Sequence, residues 1–128
     1  MGFVIHTFKN HEVVVLDEGN YKLEMFNYEK GNYIFPTLIV EIEMFISDIL
    51  QKNEFELVPN FFEIDLDDLT EVEIKEITER LIEPKRCLEF IKKHDILEKI
   101  KEHKPELLST LEHLIKRWEN GFFVIETY

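Results

Sequence analysis

Residues 36–50 read PTLIVEIEMFISDIL, and the period of their apolar side chains decides what kind of domain this chain forms. Two templates compete. Leu38, Ile39, Ile42, Phe45, Ile46, Ile49 and Leu50 recur at helical spacing throughout. Leu38, Val40, Ile42 and Met44 alternate as a strand would, but the alternation fails before Leu50. The helical period persists longer, and Pro36 or Thr37 suits a helix start. The wide apolar face predicts a core helix lying on a sheet.

On its N-terminal side the chain reads as strands. Phe3–Phe8 and His11–Leu16 are β-rich runs separated by Lys9-Asn10. Glu18-Gly19-Asn20 signals a turn before Tyr21–Phe26. Glu29-Lys30-Gly31-Asn32 signals another before Tyr33–Phe35. Short strands with Gly and Asn between them predict an antiparallel meander.

On the C-terminal side, Asn53–Val58 reads as one more strand, ended by Pro59-Asn60. Thr70-Glu-Val-Glu73 fits a capping box ahead of Ile74, Ile77 and Leu81. Glu83-Pro84 interrupts that helix. A second helix carries Cys87, Leu88, Phe90 and Ile91, and Asp95 is placed to cap a third. Pro105 suits the first position of a last helix, which carries Leu107, Leu108, Leu111, Leu114, Ile115 and Trp118. Lys116 and Arg117 fall in its last turn, where cations are favoured, and Asn120-Gly121 ends it.

The expected fold is therefore α+β. An N-terminal antiparallel β-meander packs against a core helix, a helical C-terminal half follows, and the helices cover one face of the sheet. A chain of 128 residues makes one domain and buries enough surface to fold without metals or disulfides. Residues 1–58 supply strands and one helix, 59–83 an acidic loop and helix, 84–121 helices, and 122–128 a terminal strand or docked tail.

The charge is unevenly placed. The formal net charge is −12, and residues 54–83 alone hold 11 acids and 2 bases, a net of −9. Residues 84–128 hold 8 acids and 9 bases, a net of +1. Within 61–76, FFEIDLDDLTEVEIKE, seven of sixteen side chains are carboxylates. Nucleic acid and anionic membranes need a basic footprint, so neither is expected as a direct partner. A basic protein is expected instead, because a concentrated field speeds encounter and suppresses wrong pairings. No run of apolar residues is long enough for a membrane span, no secretory leader is legible, and the lone cysteine allows no internal disulfide. The chain reads as cytoplasmic.

Reactive chemistry is weakly signalled. A calcium loop starting at Asp65 would end on Glu76, but Leu69 stands where a ligand oxygen belongs and Thr70 where the sharp turn wants Gly. Dense acids are usually solvated, and solvated acids are poor general acids at neutral pH. Cys87 lies seven residues before His94, but a lone cysteine on an apolar helical stripe is usually a small core residue. The five histidines show no metal-binding spacing, and no phosphate loop or nucleophile elbow is present. No catalytic residue, metal or cofactor is assigned, and the chain reads as a non-enzyme.

Phe61 and Phe62 stand apart from the other aromatics. They follow Pro59-Asn60 and lead directly into the acids. Either they close one core across a loop, or one is an exposed anchor inside a charged rim, the usual anatomy of a tight interface. On the second reading Phe61 or Phe62 anchors a basic protein, and Glu63, Asp65, Asp67, Asp68, Glu71, Glu73 and Glu76 contact it. In size, acidity and lack of a catalytic motif the chain is similar to small bacterial immunity proteins and to phage-type inhibitors. That resemblance implies neutralisation of a toxin, such as a nuclease, whose basic cleft an acidic surface would fill. The alternative is a regulatory or scaffolding module, self-associating as a homodimer through residues 122–128.

Overall fold

The computed structural model describes residues 4–29, 36–52 and 55–127. The element order is β1 (Val4–Asp17), β2 (Asn20–Tyr28), α1 (Pro36–Leu50), α2 (Glu71–Arg80), α3 (Pro84–Lys93), α4 (Ile96–His103), a 3-10 turn (Pro105–Leu107), α5 (Leu108–Glu119) and β3 (Phe123–Thr127). The strands form one antiparallel sheet in the order β2-β1-β3. The fold is α+β, and 36–50 is helical throughout, with Ile39, Ile42 and Ile46 buried.

The meander is simpler than the sequence suggests. The two runs around Lys9-Asn10 are one strand of 14 residues. Lys9-Asn10 looks like a break in the sequence, but most of β1 beyond Phe8 is exposed and tolerates polar residues. Its first half pairs with β3 from Val4↔Thr127 to Phe8↔Phe123. Its second half pairs with β2 from Phe8↔Tyr28 to Asp17↔Asn20. The three strands meet at Phe8, whose ring stacks on Phe123 at 5.5 Å. The expected strand at Tyr33–Phe35 lies outside the described residues, as do Asn53 and Glu54.

Residues 55–58 are not a strand. The backbone N–H groups of Leu57 and Val58 donate to the Glu43 carboxylate on α1, at 2.6 and 3.0 Å. A side chain from the helix satisfies donors that a neighbouring strand would otherwise have to accept.

The sheet is covered on both faces, not one. Ile5↔Glu126 and Thr7↔Val124 share a face, while His6↔Ile125 and Phe8↔Phe123 share the other. Ile5 and Val124 join a core with α1, α3, α4 and α5, built on Ile42, Ile91, Ile100 and Leu114. Phe8, Leu23 and Ile125 join a second core with Phe61, Leu69 and Ile77 of α2. The acidic segment and α2 thus form a layer of their own.

The helix ends follow local chemistry. Thr70 caps α2 with a reciprocal box: Glu73 N–H donates to Thr70 Oγ1 at 3.2 Å, and Thr70 N–H donates to Glu73 Oε1 at 3.0 Å. Asp95, expected to cap α4, sits in the left-handed region and its side chain makes no cap bond. Pro105 opens the 3-10 turn rather than α5 itself. Gly121 adopts φ +84 after α5, and the Phe122 N–H reaches back to the Arg117 carbonyl at 2.9 Å. That left-handed glycine lets the chain reverse into β3. Arg117 also pairs with Glu29 at 2.7 Å, tying α5 to the end of β2. Among the described residues no helix is long and apolar enough to cross a membrane.

Candidate functional site

The acidic segment runs as a strap across one face of the sheet, from one edge to the other. At its start the Glu126 N–H donates to the Pro59 carbonyl and the Phe61 N–H to the Glu126 carbonyl, each at 2.9 Å. Those bonds cover the outer edge of β3. At its end Tyr21 and Leu69 exchange bonds of 2.8 and 2.7 Å, and the Leu23 N–H donates to the Leu66 carbonyl at 2.9 Å. Those bonds cover the outer edge of β2 near the hairpin turn. The strap therefore occupies peptide groups that would otherwise template another chain.

Alternation along the strap explains its composition. Phe61 and Leu69 are buried, Ile64 and Leu66 pack beside them, and the acids between them face water. Phe61, one of the two expected anchors, is 1% exposed and is a core residue. Its ring lies beneath the Arg80 guanidinium, 4.7 Å from the ring centroid. Phe62 is half-buried and borders the grooves on both sides of the strap.

Several of the acids have local structural work. Asp65 Oδ1 accepts from the Asp67 N–H at 3.0 Å, and the Asp68 N–H closes on the Asp65 carbonyl at 3.2 Å, which fixes a turn. Glu73 completes the capping box. Glu76 pairs with Arg80 one helical turn later, at 3.5 Å. Glu63, Asp67, Asp68 and Glu71 are exposed and form no ion pair among the described residues. Asp67 and Asp68 follow the Asp65 turn, and Glu71 opens α2. The expected contact set therefore splits into residues that build the strap and residues that present charge from it.

A second group of carboxylates was invisible in the sequence. Glu43, Glu56 and Glu126 come from α1, the 55–58 segment and β3, far apart in the chain, and meet where the strap begins. Glu56 accepts from Arg80 at 3.0 Å and from the Asn60 N–H at 2.7 Å. Glu126 is 3% exposed. Burial raises its carboxyl to about 7, with Glu56 pushing the same way. Burial also raises Glu43 to about 7 against the two N–H bonds it accepts, and Glu56 and Glu126 add repulsion. No group of three or more His, Cys, Asp or Glu among the described residues is arranged to hold a metal ion.

Cys87 is buried in the helical core, and burial pushes its thiol up to about 12. His94 packs its ring against Phe90 at 4.7 Å.

A cavity of about 600 Å³ lies between the strap and the sheet. His6 and Thr127 on its floor share a 2.8 Å hydrogen bond, and burial lowers the imidazole's pKa. Asp65 and Asp67 stand on the strap side and Glu24 on the β2 side.

No protein-family model matches the chain, and no curated protein or solved structure matches it.

Proposed function

We propose that this chain is a non-enzymatic acidic binding protein that neutralises a basic protein partner, in the manner of an immunity protein or inhibitor. The observation that carries this reading is the strap. Its apolar side chains pack inward, its ends are hydrogen-bonded to the sheet, and Glu63, Asp67, Asp68 and Glu71 point outward. Like charges held this close cost stability, because salt screens exposed charges only beyond about 8 Å. A fixed arrangement of them is preorganised for a basic surface and loses little further freedom on binding. A nuclease-type cleft, lined to hold phosphates, has the complementary charge.

The test uses charge reversal. Tagged wild-type chain and an Asp67→Lys/Asp68→Lys variant are used to capture proteins from the native host's lysate at low and high salt. The expected result is one basic protein at near-stoichiometric yield, weakened by salt and lost with the variant. With that protein purified, the reversal should slow association by about tenfold or more and flatten its salt dependence. Equal binding by both forms would remove the acidic surface from the reading.

One observation favours a second reading, a self-associating regulatory module. The terminal segment expected to pair with a neighbour is β3, which is paired within its own chain on one side and bridged by the strap on the other. Among the described residues the open edge is elsewhere, on β1. Tyr21 and Leu23 turn their peptide groups outward to the strap, so their ladder partners Val15 and Val13 also turn theirs away from β2. Beyond Phe8↔Phe123 that side of β1 has no ladder partner among the described residues. Antiparallel self-pairing centred on Val14 would set His11 opposite Asp17, a charge-compatible register.

A further inference from the structure

We propose that the junction where the strap begins is a proton-operated clasp, closed while the Glu126 carboxyl holds its proton and loosened when that carboxyl ionises beside Glu56 and Glu43. This device stands apart from the acidic-binding reading above: it governs how the strap is held, whatever the strap binds.

The bonds that hold residues 56–61 converge from three elements. From α1, the Glu43 carboxylate accepts the Leu57 and Val58 N–H groups at 2.6 and 3.0 Å. From α2, Arg80 donates to the Asn60 carbonyl at 2.7 Å and pairs with Glu56 at 3.0 Å. Glu56 itself accepts the Asn60 N–H at 2.7 Å. From β3, the Glu126 backbone takes the Phe61 N–H and gives its own N–H to the Pro59 carbonyl, each at 2.9 Å. The residue that fixes the strap through its peptide groups thus brings a carboxyl to the same joint.

That carboxyl is almost wholly enclosed. Glu126 is 3% exposed, and among the described residues its side chain accepts no hydrogen bond and pairs with no cation. Ile5 stands opposite it on β1, and α5 lines that side of the sheet with Leu111, Leu114 and Trp118. Glu56 repels it from the 55–58 segment, and Glu43 on α1 is repelled by both. Arg80 is committed to Glu56, Glu76 and Asn60. A buried carboxyl without a donor or a counter-charge favours its neutral form. Among the described residues the cluster is not arranged to hold a metal ion, so a proton is the cation that relieves it.

Ionisation of Glu126 calls for water and for distance from Glu56. Lifting residues 56–61 from β3 supplies both. Glu43 acts differently, because its ionised form strengthens the two N–H bonds it already accepts. The hold on β3 therefore gives way while the strap stays tethered to α1. Burial, with Glu56, raises the Glu126 carboxyl to about 7, which places the transition at neutral pH. The clasp is closed below that value and loosened above it.

The test is backbone amide hydrogen exchange, read site by site by NMR across this pH range. In the wild-type chain the opening equilibrium at the Phe61 and Glu126 amides should rise about tenfold per pH unit between 4.5 and 7, then level off. These amides should open more readily than those of Leu111 and Leu114, so that the helical core stays closed while the clasp is open. Glu126→Gln should abolish the rise, and Glu112→Gln, at an exposed position on α5, should keep it. The ¹³C shift of the Glu126 side-chain carboxyl is a second measurement that needs no variant. Its midpoint is expected near 7 and shared by the Phe61 amide shift. A carboxyl that titrates near 4.5 would overturn the clasp. So would a Glu126→Gln chain that keeps the rise, or clasp amides that open only together with those of α5.

Discussion

At the scale of single residues, the informative positions are those where a carboxylate is buried rather than displayed. Glu126 follows three apolar residues in the run FVIET, and nothing in that run shows that its side chain will meet Glu56 and Glu43. Such meetings depend on tertiary placement, which periodicity does not carry. The consequence for stability has a definite sign. Both Glu126 and Glu43 titrate near 7 when folded, against an ordinary value of 4.5. Between those values the folded chain holds more protons than the unfolded chain, so stability falls as pH rises. The stabilisation is fully present below 4.5 and is lost as pH passes through 7. Glu126→Gln should therefore be more stable than wild type at pH 8, by on the order of 1–2 kcal/mol, and about equal to it at pH 4.5. Urea midpoints for both proteins across that range measure the difference. An unchanged pH slope would show that Glu126 ionises without penalty. Phe61 and Phe62 carry a related lesson. The sequence marked them as a pair and offered two roles, and the Arg80 guanidinium over Phe61 shows which residue went inward. That contact spans nineteen positions and cannot be read from neighbours.

At the scale of elements, legibility followed the range of the interaction. The α1 stripe and the Thr70–Glu73 box were readable because both are set within a few residues. The failures came where a partner lay far away. Residues 55–58 look like a strand in isolation, but Glu43 takes two of their N–H groups. Asp95 looks like a cap, but its backbone is left-handed and its side chain makes no cap bond. The strap reads as a polar loop, and only its hydrogen bonds to β2 and β3 show it as an edge cover. The open side of β1 follows from the same accounting. Val15 is 68% exposed and Val13 and Leu16 are also exposed there, a hazard that natural sheets usually blunt with charge. The wild-type chain is expected to show concentration-dependent mass in sedimentation velocity, and Val15→Lys to stay monomeric with an unchanged melting temperature. A wild-type chain that is monomeric throughout would mean that the edge is left open for some other segment, or for none.

At the scale of the whole molecule, the strap joins parts that the chain order separates. It is bonded to β3 at Pro59 and Phe61 and to β2 at Leu66 and Leu69, and its side chains fill the second core. Release at either end should expose both edges and that core together. Native-state hydrogen exchange should then show the amides of Tyr21, Leu23, Phe61, Leu69 and Glu126 opening as one unit with a shared free energy. Independent opening at the two ends would mean that the second core is not cooperative with the strap. The fold class was legible because helical and strand periods segregate along this chain. The two-faced layering was not, because apolar positions in β1 do not say which helices will cover which side.

The pairing of β1 with β3 has a further consequence, in time rather than space. His6 and Thr127 meet across 121 positions. At about 5–20 residues per second, synthesis separates the two strands by roughly 6–24 s. The central strand therefore leaves the ribosome well before the strand that pairs with it along Val4–Phe8. Throughout that interval the hairpin waits with one flank bare, and the strap has no β3 to close against. Nascent chains halted before residue 123 should therefore retain a structured hairpin while the edge bonds of Phe61 remain unmade, so that the protein acquires its acidic face in finished form only when the last strand docks.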